Sequence, residues 1–182
     1  MGLDLFVKGS KKCASMSYGS VHQFRIKMVL LTVGHYLATH PGLHQVEDED
    51  LVFDELVSWL PVEFKNKLDD KPVTLEWVKR QLSDEDAAYP DYESMHGDPP
   101  IYGKDDSVRQ ARYGLYKLVN HSDCDGLHSA GDCVDILHFL DYIKPALHLI
   151  DDNADDYFAV WFNKVRDVFV EAVKKKADVL YG

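Results

Sequence analysis

The chain has 182 residues, 46% of them hydrophobic, which is enough to bury one substantial core without disulfide staples. Its formal charge of −11, from 31 acidic and 20 basic residues, repels phosphate backbones and argues against direct nucleic-acid binding; cations or basic partners fit better. Three cysteines make no disulfide framework and suit a reducing cytoplasm, and the first residues show neither a signal peptide nor a myristoylation site.

Met1 to Val7 alternates Leu3, Leu5 and Val7 with Asp4 and Phe6, which predicts a short strand or an extended arm. Ser17-Tyr18-Gly19-Ser20 is a polar start, with Ser20 as N-cap, for a helix from Val21 to about Thr39 that stops before His40-Pro41-Gly42. Val21, Phe24, Met28, Leu31 and His35 share one face, while Ile26, Leu30, Val33 and Leu37 widen the apolar surface, so burial on most sides is expected. Arg25, Lys27 and His35 interrupt this stretch, which makes it a core helix and not a membrane span.

Two short helices follow, over Leu51–Leu60 and from Pro61 through Leu68, beside an acidic run at Glu47-Asp48-Glu49-Asp50 that reads as a solvated face. Pro72-Val73-Thr74 opens another helix, with Leu75, Val78 and Leu82 on one side. Residues 84 to 106 combine Pro90, Gly97, Pro99, Pro100 and Gly103 with many acids, which predicts a long acidic surface loop pinned by Tyr89, Tyr92, Met95 and Tyr102. Helices are then expected over Ser107–Val119, from Ser129 or Gly131 to the Pro145 break, and from about Asn153 to Leu180. The expected fold is a single all-α domain spanning residues 1 to 182. It contains an EF-hand-like helix–loop–helix at 107 to 144 and the short N-terminal strand or arm.

Asn120 to Asp132 carries the most definite chemistry. With His121 as loop position one, Asp123, Asp125, Gly126, Ser129 and Asp132 fall at positions three, five, six, nine and twelve of a calcium loop. Calcium and magnesium are hard cations that need converging oxygens. Asp123 and Asp125 would give carboxylates, Leu127 its carbonyl, Ser129 a hydroxyl or water bridge, and Asp132 a carboxylate from the exiting helix. His121 replaces the usual first acid, Asp132 is shorter than the usual Glu, and His128 stands where an inward aliphatic is normal. Affinity for calcium should therefore be poor, or magnesium preferred. Two other readings stand beside this one. His121, Cys124, His128 and Cys133 could take a transition metal, although no zinc spacing is present. Alternatively, Asp123, Asp125 and Ser129 only cap backbone donors in a turn rich in such residues.

No nucleophile elbow, P-loop, zinc-protease or dinucleotide pattern occurs, so no catalytic residue is assigned. Cys13 follows Lys11 and Lys12, a setting that favours thiolate chemistry, yet the sequence supplies no partnering base. His22, His35 and His138 fall on helical patterns as core or boundary histidines. Tyr18, Arg25 and Tyr36 form a candidate anion pocket, against the alternative of an ordinary ion pair at Arg25.

Met1-Gly2-Leu3-Asp4-Leu5, Ser17 through Arg25, and Leu118 through Gly126 with its His-Ser-Asp-Cys-Asp-Gly string together resemble a set of small uncharacterised proteins of bacteria and their phages. The resemblance covers about a third of the chain. It implies a phage or prophage origin and no particular activity; such proteins tend to carry an aliphatic at the His128 position. The leading expectation is a cytoplasmic, non-catalytic binding protein with a structural calcium or magnesium loop. The alternatives are an acidic inhibitor or DNA mimic acting on a host protein, a protein that sequesters a small nucleotide signal, and a metal-dependent hydrolase.

Overall fold

The computed structural model describes residues 2–40, 72–83, 107–119, 126–150 and 157–182. The expected helices over Leu51–Leu60 and Pro61–Leu68 and the acidic loop at 84 to 106 lie outside the described residues.

Strand β1 (Gly2–Val7) turns back into β2 (Cys13–Ser17), with Leu5 opposite Ala14 and Phe6 opposite Cys13. The period-two pattern explains the pairing. Leu3, Leu5, Val7, Ala14 and Met16 are buried, while the residues between them point outward.

Ser17 ends β2 and caps helix α1 (Tyr18–Thr39), its hydroxyl accepting from the Ser20 amide. The N-cap is therefore Ser17 and not Ser20, because the extended backbone of β2 runs to the first helical turn. As the sequence predicts, α1 is buried around most of its circumference, from Val21 through Leu37. Thr74 caps the short helix α2 (Leu75–Leu82), which packs on α1 and buries Trp77, Val78 and Leu82.

Helix α3 (Ser107–Val119) precedes the loop, and strand β3 (Gly126–His128) leaves it. Helix α4 (Ala130–Ile143) follows and runs into a 3-10 turn at Lys144–Leu149, where Pro145 ends regular helix. Helix α5 (Tyr157–Lys175) lies against β1, β2 and α4. The chain then closes with β4 (Val179–Tyr181).

The four strands form one antiparallel sheet in the order β2-β1-β4-β3, with α5 and α1 against its inner face. This corrects the all-α expectation: the fold is mixed, helices packed on one side of a small antiparallel sheet. The helix expected to run to Leu180 stops at Lys175. Lys176 takes a positive φ of 52°, and the Ala177 amide reaches the Ala172 carbonyl, a left-handed helix stop that swings Val179–Tyr181 into the sheet. Among the described residues, no helix is long and apolar enough to cross a membrane.

Candidate functional site

The described half of the 120–132 loop is built from β3, β4 and the start of α4. Gly126 has φ of 140°, a backbone state that disfavours side chains, and it admits the chain to β3. Leu127 then lies opposite Leu180 and His128 opposite Val179. A short strand inside the loop thus finds its partner in β4. His128 is buried against Tyr181 and Phe169, and its Nε2 shares a hydrogen bond with the Tyr181 hydroxyl. A histidine can occupy this inward position because Tyr181 meets its polar atom.

Ser129 is the N-cap of α4, and it forms a reciprocal capping box with Asp132 at the third helical position. The Ser129 hydroxyl accepts from the Asp132 amide at 3.2 Å, and Asp132 Oδ2 accepts from the Ser129 amide at 3.0 Å. The Ala130 amide donates to Asp178 Oδ1 at 3.1 Å, so the acid before β4 also serves the first turn of α4. Cys133 is buried, and its thiol faces the His128 carbonyl; burial pushes its pKa up to about 11, which makes it an inert apolar side chain.

Lys117 completes the corner. A Cβ at Gly114 would lie 2.2 Å from the Asp135 carbonyl oxygen and 2.6 Å from Phe139 Cβ, so only glycine lets α3 come this close to α4. One turn further along α3, the Lys117 ammonium sits 2.5 Å from Asp132 Oδ1 and 2.8 Å from Asp135 Oδ2. The lysine side chain is 15% exposed, with 31% and 24% for its two acids. Burial pulls the Lys117 pKa down, but hydrogen bonds to Asp132 and Asp135 outweigh it and leave the value raised. Burial likewise pushes Asp132 up, and hydrogen bonds from Lys117 and Ser129 outweigh that and hold its carboxyl below the ordinary range.

Of the predicted cation ligands, Ser129 and Asp132 are brought together, Leu127 joins the sheet beside them, and His121, Asp123 and Asp125 lie outside the described residues, as does Cys124. Both Asp132 oxygens have close partners, Oδ2 in the cap and Oδ1 on Lys117, so the described end of the loop already faces a positive charge. Among the described residues, no group of three or more His, Cys, Asp or Glu side chains is placed to hold a metal ion. His128 and Cys133, the described members of the transition-metal reading, are engaged with Tyr181 and with backbone carbonyls.

Of the candidate anion pocket, the side chains of Arg25 and Tyr36 are among the described residues and that of Tyr18 is not. Arg25 and Tyr36 are both buried on α1. Their positions share a side of the helix but are separated by about 16 Å along its axis at 1.5 Å per residue. Tyr36 stacks on His40, and the Tyr18 side chain is outside the described set. His35 meets Tyr142 edge-on, and burial, with His148 and His40 nearby, lowers its pKa. Among the described residues, none meets the buried His138 Nε2 with a hydrogen bond. Lys117, Asp135, Asp178 and Tyr181 carry the corner and are absent from the sequence reading. The available signal was Lys117 itself, a cation one turn before an acidic loop. No protein family, curated protein or solved structure matches the chain.

Proposed function

We propose that the protein acts by binding and that its 120–132 loop takes a divalent cation, calcium or magnesium, in competition with the Lys117 ammonium. The observation that carries this reading is Asp132. Fixed at the first turn of α4, its carboxylate faces a cation delivered by the other helix of the pair. The surroundings support it: a glycine in a positive-φ state at loop position six, a short strand with a partner, and a serine cap at position nine. His121, Asp123 and Asp125 would supply the remaining ligands from the entering half. An ion held there would join α3 to α4, as the Lys117 ion pairs do. Because Asp132 must exchange one positive partner for another, affinity is modest. The phage or prophage origin implied by the sequence resemblance fits a small acidic binding protein.

Calorimetric titration of chelator-treated protein with calcium, magnesium and zinc tests the proposal. Heat is expected with calcium or magnesium, and it should vanish in Asp123→Ala/Asp125→Ala. Lys117→Met, which removes the competing charge, should bind about tenfold more tightly. Silence in both wild type and Lys117→Met would reject the loop as a cation site. Heat that persists in the double variant would reject the assigned ligands.

A further inference from the structure

The sheet's outward face carries a row of side chains that crosses the strands. Phe6 on β1 lies opposite Leu180 on β4, Leu180 lies opposite Leu127 on β3, and Phe6 lies opposite Cys13 on β2. Phe6, Leu180 and Leu127 are 40%, 36% and 53% exposed, and Cys13 is exposed at the end of the row. Because Leu3, Leu5 and Val7 point inward, the alternation of β1 puts Asp4 and Lys8 on the same face as Phe6, one on each side of it at about 6.8 Å. Lys8 reaches Asp178 at 3.7 Å, but its side chain is 68% exposed and its ammonium, with three donors, can take a second carboxylate. The apolar row is thus flanked on β1 by one acid and one base, an arrangement that favours neither an acidic nor a basic partner.

We propose that this face packs against the same face of a second copy of the chain. A two-fold axis laid along the row, between the two sheets, returns the row to itself and reverses the direction of the strands. Phe6, Leu180, Leu127 and Cys13 then each meet their own counterpart. Asp4 of one copy faces Lys8 of the other, and the pair is made twice. Two charges of one sign around Phe6 would instead be set against each other; the opposite signs make the face complementary to itself. Four strands about 4.8 Å apart, with six residues of β1 at about 3.4 Å each, outline a patch of about 400 Å². That is half of what each partner gives to a standard interface, so the dimer is a weak one, with a dissociation constant on the order of 100 µM.

The test is sedimentation equilibrium of the full chain under reducing conditions, from about tenfold below to about tenfold above that concentration. The mass is expected to climb from one chain towards two. Leu127→Gln/Leu180→Gln should weaken association at least about tenfold, with an unchanged melting temperature in dilute protein. Asp4→Lys and Lys8→Glu should each weaken it, and an equimolar mixture of the two variants should restore it, because every charge then faces its opposite across the axis. That recovery separates a direct contact from damage to the fold. A short bis-maleimide should link wild-type chains in pairs, and Cys13→Ser should abolish the link. A single-chain mass throughout, a dimer indifferent to the leucine substitutions, or a mixture no tighter than its components would overturn the proposal. So would a monomer that floats with phosphatidylserine vesicles, which would assign the row to a membrane.

Discussion

Lysines meet carboxylates at two corners of this molecule under different conditions. Lys117 is largely buried and touches two acids on the neighbouring helix, whereas Lys8 and Lys12 are exposed and touch one acid each. Exposed pairs are screened by water and salt and contribute little; a half-buried triad loses much more when one member is removed, because the others remain poorly solvated. The comparison separates a structural lysine from lysines that stay available to another molecule. Gly114 is what creates the difference, since it allows α3 to bring Lys117 under cover.

The strongest way to break the comparison is Gly114→Ala. Its Cβ would collide with the Asp135 carbonyl, forcing α3 away from α4 and drawing Lys117 off its acids. Destabilisation of about 3 kcal/mol is expected, read as a fall of roughly 10 °C in the midpoint of a thermal melt followed by circular dichroism. An unchanged midpoint would show that the helices do not depend on this approach.

Acidity gives a sharper and smaller probe. Asp132 is held below its ordinary value in the folded chain, so its contribution is fully present above about pH 4 and is lost as pH falls through the lower folded value. Lys117 is raised, so its contribution is present below about pH 10.4 and is lost as pH rises through the higher folded value. Urea midpoints measured from neutral pH into acid should fall less steeply for Asp132→Asn than for wild type. Parallel curves would remove Asp132 from the acid response.

The smallest effect belongs to the exposed corner. Lys12→Ala removes the ion pair with Asp167 and should change stability by less than about 0.5 kcal/mol. A fall in melting midpoint as large as that of Gly114→Ala would erase the distinction between the two corners.

The helices were legible where their apolar period ran long enough. Val21 through Leu37 predicts the buried α1, and Val134, Ile136, Leu137, Leu140 and Ile143 predict α4 up to Pro145. Strands of three residues are too short to show alternation, so β3 passed for loop and β4 for the tail of a helix whose apolar stripe it continued. What ended that helix was the left-handed backbone at Lys176, a state that lysine composition does not advertise. At the candidate site, the cap of Ser129 on Asp132 follows a local spacing of three and could be read directly. The Lys117 and Tyr181 contacts join residues distant in the chain, and only the closed sheet and the Gly114 crossing bring them into reach.

The strand order has a consequence for how the molecule is made. Because β4 lies between β1 and β3, the β1–β2 hairpin leaves the ribosome well before β4 and cannot join β3 until residues 179 to 181 are translated. At 5–20 residues per second, that delay is on the order of ten seconds. Throughout it, β1 presents an unpaired edge on the nascent chain, an interval in which a chaperone or a neighbouring polysome product competes with the strand that completes the sheet.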